Sequence, residues 1–260
     1  MSSGFTAVRW IGFQTIVRRE VERTLRIWGQ TIVPSAVTTV LYFVIFGSLI
    51  GQRIGQMDGI DYVQYIAPGL IMMAIITNAY ANVSSSFFGA KFQRFLEEIS
   101  VSPQPNWVII TGYVGGGVLR GLLVGFTVTV ISLVFTYLPI QHLSLILAAV
   151  LISAIIFSLA GFINGVFAKN FDQVNWIPTF ILTPLTYFGG VFYSINLLPE
   201  WARTVSFANP VLHMVNAFRY GFLGRSDVHV GLAFVIMVLS ALMLFFIALW
   251  LMRRGTGLRD

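Results

Sequence analysis

The sequence predicts an all-α integral membrane protein with six transmembrane helices, an N-terminal amphipathic interfacial helix and two re-entrant half-helices between spans five and six. Three observations carry this expectation. Of 260 residues 57% are hydrophobic and only 10% charged, and mean hydropathy is +0.82, which is more apolar surface than one soluble core can hide. The apolar residues fall in uncharged runs long enough to span a bilayer. Basic residues flank alternate ends of those runs, as the positive-inside rule requires. The net charge of +6 is therefore a matter of topology, and nucleic acid is not an expected partner, because no compact basic patch forms. Cysteine is absent, so disulfides and Cys-based metal sites are excluded.

Residues 1–29 form the cytoplasmic amphipathic helix. At helical period Trp10, Phe13, Val17, Val21, Leu25 and Trp28 share one face, and Arg18, Arg19, Glu22, Arg23 and Arg26 the other. Such a helix lies at the lipid headgroups or packs on the protein's own cytoplasmic flank. It reads as an uncleaved anchor, because the apolar run after it is long enough to span. A single transmembrane domain follows over residues 30–252, with spans at about 31–51, 63–88, 107–138, 143–168, 174–193 and 230–252, and a cytoplasmic tail over 253–260.

Span one is uncharged, with Pro34 in its first turn. A short outer loop carries Arg53, Asp58 and Asp61. Span two places Asn78, Asn82 and Ser86 along one face, where they line a polar pathway or hydrogen-bond a neighbouring helix. After it, Phe92, Phe95, Leu96 and Ile99 recur at helical spacing among Lys91, Arg94, Glu97 and Glu98, and Ser102-Pro103 stops the run. This short cytoplasmic helix is either a connector on the membrane surface or a docking element. Span three carries Arg120, expected to snorkel toward the cytoplasmic headgroups, and two ridges of small residues, Gly112/Gly116 and Gly117/Gly121/Gly125, that invite close helix approach. Span four repeats the device at Gly161 and Gly165. Span five aligns Asn175, Thr179, Thr183 and Thr186.

The stretch from Pro178 to Arg219 is too apolar for a loop and too broken for one helix. Pro184, the Gly189-Gly190 pair, Pro199 and Asn209-Pro210 punctuate it. Its second piece, expected from Pro210 to about Gly221, is too short to cross the core. Val211, Val215, Phe218 and Phe222 form its apolar face, with His213, Asn216 and Tyr220 opposite. The re-entrant region covers 196–224. With six spans, both termini fall on the side that also holds Lys91, Arg94, Lys169, Arg253, Arg254 and Arg259. Counting a seventh span would send the C-terminal arginines outward against the positive-inside rule.

Several chemistries are missing. No GxxxxGK[ST] loop is present, so the chain cannot cradle nucleotide phosphates. None of the six spans contains Asp or Glu, the usual groups of ion-coupled carriers. His142, His213 and His229 are far apart in sequence and suit interfacial roles better than metal binding. No catalytic residue and no metal site is expected.

Two segments carry a family resemblance. Leu96-Glu97-Glu98-Ile99-Ser100-Val101-Ser102-Pro103 after span two, and Leu182…Pro184…Phe188-Gly189-Gly190…Pro199…Asn209-Pro210…Arg219 after span five, resemble the two signatures of ABC-2 type permeases. The resemblance covers nearly the whole chain. It implies the membrane subunit of a bacterial inner-membrane ABC exporter, working as a dimer with a second copy of itself and two copies of a separate P-loop ATPase. ATP and Mg are then used by that partner, and this chain binds no cofactor. It further implies that Phe92, Arg94, Phe95, Glu97, Glu98, Ser102 and Pro103 couple to the ATPase. Pro184, Gly189, Gly190, Pro199, Asn209, Pro210 and Arg219 would form an outer gate. Asn78, Asn82, Asn175, Thr179 and Thr183 are possible pathway residues. The expected cargo is amphiphilic or lipid-linked. A passive channel or an ion-gradient-driven carrier is the alternative.

Overall fold

The computed structural model describes residues 2–95 and 104–255. Helix α1 spans Ser2–Arg26. Helix α2, Trp28–Ile54, contains a π-helical stretch over Phe43–Ile50. It leads to a hairpin of β1 (Gln56–Met57) and β2 (Ile60–Asp61). The turn is Asp58-Gly59, both at positive φ, the residue pair a tight two-residue hairpin favours. This hairpin was not anticipated within the outer loop, although Asp-Gly is a local signal for it.

Helix α3, Tyr62–Phe92, is the centre of the bundle. Asp61 caps it, its carboxylate accepting from Val63 N. Helices α4 (Asn106–Phe135) and α5 (Leu143–Phe167) pack along α3 on two sides. The small-residue ridges explain how closely. A Cβ at Gly121 would sit 3.2 Å from Ala79 Cβ, and one at Gly165 3.2 Å from the Ser84 carbonyl. Without a hydrophobic drive between helices in lipid, such close contact supplies much of their association. The first ridge serves a different neighbour: Gly112 and Gly116 face Ile16 and Glu20 of α1.

Helix α6 (Phe171–Ile177) continues through a π segment, Pro178–Leu182, into α7 (Thr183–Tyr187). The helical run expected over 174–193 thus starts earlier and stops at Tyr187. Gly190 ends any continuation, turning the chain at φ +68. Then come α8 (Glu200–Phe207) and α9 (Pro210–Leu223), close to the expected pieces. Helix α10, Val230–Arg254, ends in Arg253 and Arg254 before a left-handed Gly255, a basic last turn that suits the helix dipole.

Among the described residues, five helices are long and apolar enough to cross a membrane: α2, α3, α4, α5 and α10. The α6–α7 run, in pieces of 7, 5 and 5 residues, is not among them.

Helix α9 buries the face that carries His213 and Asn216 as well as its apolar face. It packs against α3, α5 and α10. Asn216 and the Nε2 of His213 find backbone partners instead of solvent. Asn216 donates to the Leu212 carbonyl and accepts from Asp227 N, and His213 Nε2 lies 2.9 Å from the Phe207 carbonyl oxygen.

Candidate functional site: a polar strip between a basic end and a loop-rich end

The two ends of the bundle differ. One collects the hairpin, residues 136–142 and the segment 188–229. The other collects α1, Lys91–Phe95, the turn at 168–170 and Arg253–Arg254.

At the loop-rich end the sequence-predicted residues form a connected framework. Asn209 Oδ1 accepts from Val211 N at 2.9 Å, capping α9, and its Nδ2 donates to the Leu185 carbonyl at 2.6 Å. Pro210 occupies the first turn of α9, where its missing N–H costs nothing. Gly189 lies against Val211, and Pro184 accepts through its carbonyl from Phe188 N. Pro199 precedes α8 with extended backbone. Arg219, on α9, is only 1% exposed. It donates to the carbonyls of Gly190 (2.7 Å) and Tyr65 (3.3 Å) and stacks over the Tyr65 ring at 4.0 Å. Asn209 and Arg219 thus tie α9 back to the chain leaving α7. We expect Asn209→Ala to cost about 1–2 kcal/mol, from the lost cap and the orphaned Leu185 carbonyl. Asn209→Ser, which keeps a cap acceptor and sets no second oxygen against the Leu185 carbonyl, should cost less. Thermal denaturation of the purified chain checks the order.

A groove lies open between α2 and α3, a polar strip of Ser35, Thr38, Thr39 and Tyr42 of α2 and Thr77 and Asn78 of α3 running beside the apolar Pro34, Leu70, Met73 and Ala74. Asn78 Nδ2 donates to Ser35 Oγ at 3.2 Å and to the Ala74 carbonyl. Across the exposed face of α3 lies the loosely packed α6–α7 run, on which Asn175, Thr179 and Thr183 are all exposed. The Thr179 and Thr183 hydroxyls bond back to the carbonyls of Asn175 and Pro178. Tyr42 and Tyr187 hydroxyls meet at 3.2 Å, so α2 reaches α7 near the loop-rich end.

Asn82 belongs elsewhere. It is buried under α1, in a cluster the sequence analysis did not find. Glu20, 1% exposed, accepts from Ser86 Oγ, from Asn82 Nδ2 at 3.3 Å and from Arg23 Nη2 at 3.1 Å. Arg23 Nη2 also donates to Asn82 Oδ1 and to the Asn82 carbonyl. Arg120 does not snorkel outward: its Nη1 is 3.5 Å from Asn82 Oδ1. It turns inward because a hydrogen-bonding amide lies within its reach on the adjacent α3. A polar stripe of Asn82 and Ser86 facing a glycine ridge on α4 was the available signal. Glu20 itself gave none beyond its place one helical turn from Ile16. On the outer side of α1, Arg18 donates to Glu22 at 2.8 Å, and that hydrogen bond, with the charge behind it, raises the guanidinium above its ordinary pKa.

At the basic end, Phe92 is the last residue of α3 and does not begin a separate helix. Arg94 adopts a left-handed backbone, φ 61, which breaks the run between Phe92 and Phe95. Both rings are exposed. Phe92 packs beside Phe88 and Phe171, and the Arg19 guanidinium lies over Phe95 at 5.4 Å. Lys91 Nζ donates to the carbonyls of Val166 and Ala168, closing the C-terminus of α5. Leu96, Glu97, Glu98, Ile99, Ser102 and Pro103 lie outside the described residues. Among the described residues no group of His, Cys, Asp or Glu could hold a metal ion. His142 stacks on Tyr220, and His229 accepts from Leu232 N at the start of α10.

Comparisons agree with this architecture. The inner membrane transport permease YadH of Escherichia coli strain K12 is 53% identical over 251 residues, covering 96% of this chain and 98% of its own length. Nodulation protein J of Rhizobium meliloti strain 1021 is 23% identical over 216 residues, with 83% and 82% covered. The family model for ABC-2 type transporters matches residues 11–223. With most of its length matched by that model and a relative 53% identical over nearly the whole of it, this chain belongs to the ABC-2 type transporter family.

Proposed function

We propose that the chain is the membrane-spanning subunit of an ATP-driven exporter in the inner membrane, acting as a homodimer with two copies of a separate P-loop ATPase. It moves an amphiphilic or lipid-linked cargo from the cytoplasm or inner leaflet. The observation that carries this reading is the open polar strip. Thr38, Thr77, Asn175, Thr179 and Thr183 are exposed along it. The Thr77, Thr179 and Thr183 hydroxyls bond back to their own helix, and an amide such as that of Asn175 is costly to turn to lipid. A strip like that is served by a water-lined path or a second copy of the chain. In this reading the α6–α7 run is span five, which brings the total to six, shortened because the chain returns into the outer leaflet as α8 and α9. Both termini then lie in the cytoplasm with Lys91, Arg94, Arg253 and Arg254.

The basic end supports the docking site. Phe92 and Phe95 are exposed beside α1, and the segment with Glu97 and Glu98 follows directly. Movement of that segment by the ATPase would pull on α3, the helix against which α4, α5 and α9 pack. The alternative, an ion-gradient-driven carrier, draws on Glu20, the one buried carboxylate among the described residues. Its ion pair with Arg23 fits a structural role better than a proton-carrying one.

Co-expression with a P-loop ATPase gives the test. Reversing the charges of Glu97 and Glu98 to lysine should release the ATPase from the purified complex and reduce ATP-driven uptake into inverted vesicles by about tenfold or more, the loss expected when buried interfacial charges are reversed. Unchanged binding and uptake would remove the coupling assignment. Uptake that needs no ATPase and follows an ion gradient would replace the exporter with a carrier.

A further inference from the structure

The loop-rich end encloses a polar cavity of about 320 Å³, between the hairpin, the start of α3 and the segments around α9. Arg219 and Arg225 line it, with Asp58, Tyr65, Asn196 and Asp227 around them. Arg219 is the unusual member. Its Nη2 and Nε are spent on the Gly190 and Tyr65 carbonyls, but its Nη1 is buried without a hydrogen-bond partner among the described residues. No carboxylate comes within 4.0 Å of its guanidinium there, the ion pairs among the described residues being Arg18–Glu22 and Arg23–Glu20. A buried cation with an open donor is costly, and an acceptor oxygen supplied by a ligand removes the cost.

The two carboxylates at the cavity do not fill this role. Asp227 is already held by Ser194 Oγ, Ile195 N and the Tyr65 hydroxyl, at 3.1, 3.1 and 3.3 Å. Those three donors spread its charge and fix it. Asp58 is exposed at the hairpin turn. Arg225, exposed and without an ion pair among the described residues, supplies a second guanidinium at the cavity wall. Guanidiniums form charge-assisted hydrogen bonds to phosphate oxygens, and two of them line this cavity. The volume leaves room for substituents on that group.

We propose that this cavity binds an oxyanion of the phosphate class, with Arg219 Nη1 as the buried donor and Arg225 as the second. The anion comes from a lipid headgroup or from a soluble phosphate. The site does not depend on the transport reading above, since it needs only this chain.

The test uses the purified full-length chain in a neutral maltoside detergent. Dihexanoylphosphatidic acid and inorganic phosphate are the probes, dihexanoylglycerol is the phosphate-free control, and binding is read by calorimetry. The phosphatidic acid should bind saturably at one per chain and the diacylglycerol should not. Arg219→Gln and Arg225→Gln should each weaken binding by about tenfold or more, the scale of a lost charge-assisted hydrogen bond. Arg219 sits in the packed framework, so should its variant fail to fold, the exposed Arg225→Gln decides alone. Competition by inorganic phosphate places the source in solution, and binding of phosphatidic acid without such competition places it in the lipid. Saturable binding absent for both probes, or an Arg225→Gln chain that binds as tightly as the parent, overturns the site.

Discussion

Replacing Arg23 with alanine should destabilise the protein by about 3 kcal/mol, the cost of breaking a buried ion pair from one side. Glu20 stays behind at 1% exposure, with the Asn82 amide and the Ser86 hydroxyl as its remaining hydrogen-bond donors. Asn82 loses two donors at the same time. Glu20→Gln should cost less, about 1 kcal/mol, because a neutral amide keeps partners for Asn82 and Ser86. The guanidinium it abandons is partly exposed, at 29%, and reaches water. Thermal denaturation of the purified chain by circular dichroism compares the two variants. Equal melting of the Arg23→Ala chain and the parent would mean that this pair does not hold α1 to the bundle. The same variant should raise protease sensitivity within α1, because the helix would lose its hydrogen bonds from Arg23 to α3.

A side chain at Gly161 should be nearly as damaging. A Cβ there is driven into the Tyr80 carbonyl oxygen and lies 3.2 Å from Ser84 N. Both obstacles are backbone of α3 and cannot swing aside, so Gly161→Val forces α5 away from the central helix. The expected cost is about 1–3 kcal/mol, typical of overpacking in a filled interior. Gly89 is the control. It lies near the end of α3, where an added Cβ meets nothing within 4 Å. Gly89→Ala should be neutral or stabilising by up to about 1 kcal/mol through helix propensity. If the two substitutions shift melting alike, helix propensity and not close packing sets the role of these glycines.

Charge and hydropathy made the spans legible to within a few residues. The segments expected at 63–88, 143–168 and 230–252 are the helices Tyr62–Phe92, Leu143–Phe167 and Val230–Arg254. The broken segment was legible too, because proline and glycine act on the backbone where they stand. Pro199, Asn209 and Pro210 flank the two short helices as expected, and Asn209 is a cap. The Gly112/Gly116 and Gly117/Gly121/Gly125 ridges announced close approach, but not that one belongs to α1 and the other to α3.

Side-chain partnership was the part that stayed hidden. Asn78 and Asn82 read alike on a helical wheel, yet one borders an open groove and the other is sealed beneath Glu20 and Arg23. Arg120 read as a snorkelling residue and instead turns toward Asn82. Asp227 carried no local signal, since its partner Tyr65 is 162 residues away in the chain.

The sequence by itself determined the membrane class, the positions of most spans, the short paired helices after Tyr187 and the family. Each follows from properties that act within a few residues: apolar content, missing or permissive backbone groups, and flanking charge. Only the tertiary structure decided which polar groups face one another, that α9 is buried on all sides, and that a carboxylate from α1 is buried against α3 and α4. Hydrogen bonds act over about 3 Å, so their partners are fixed only when helices distant in the chain come together.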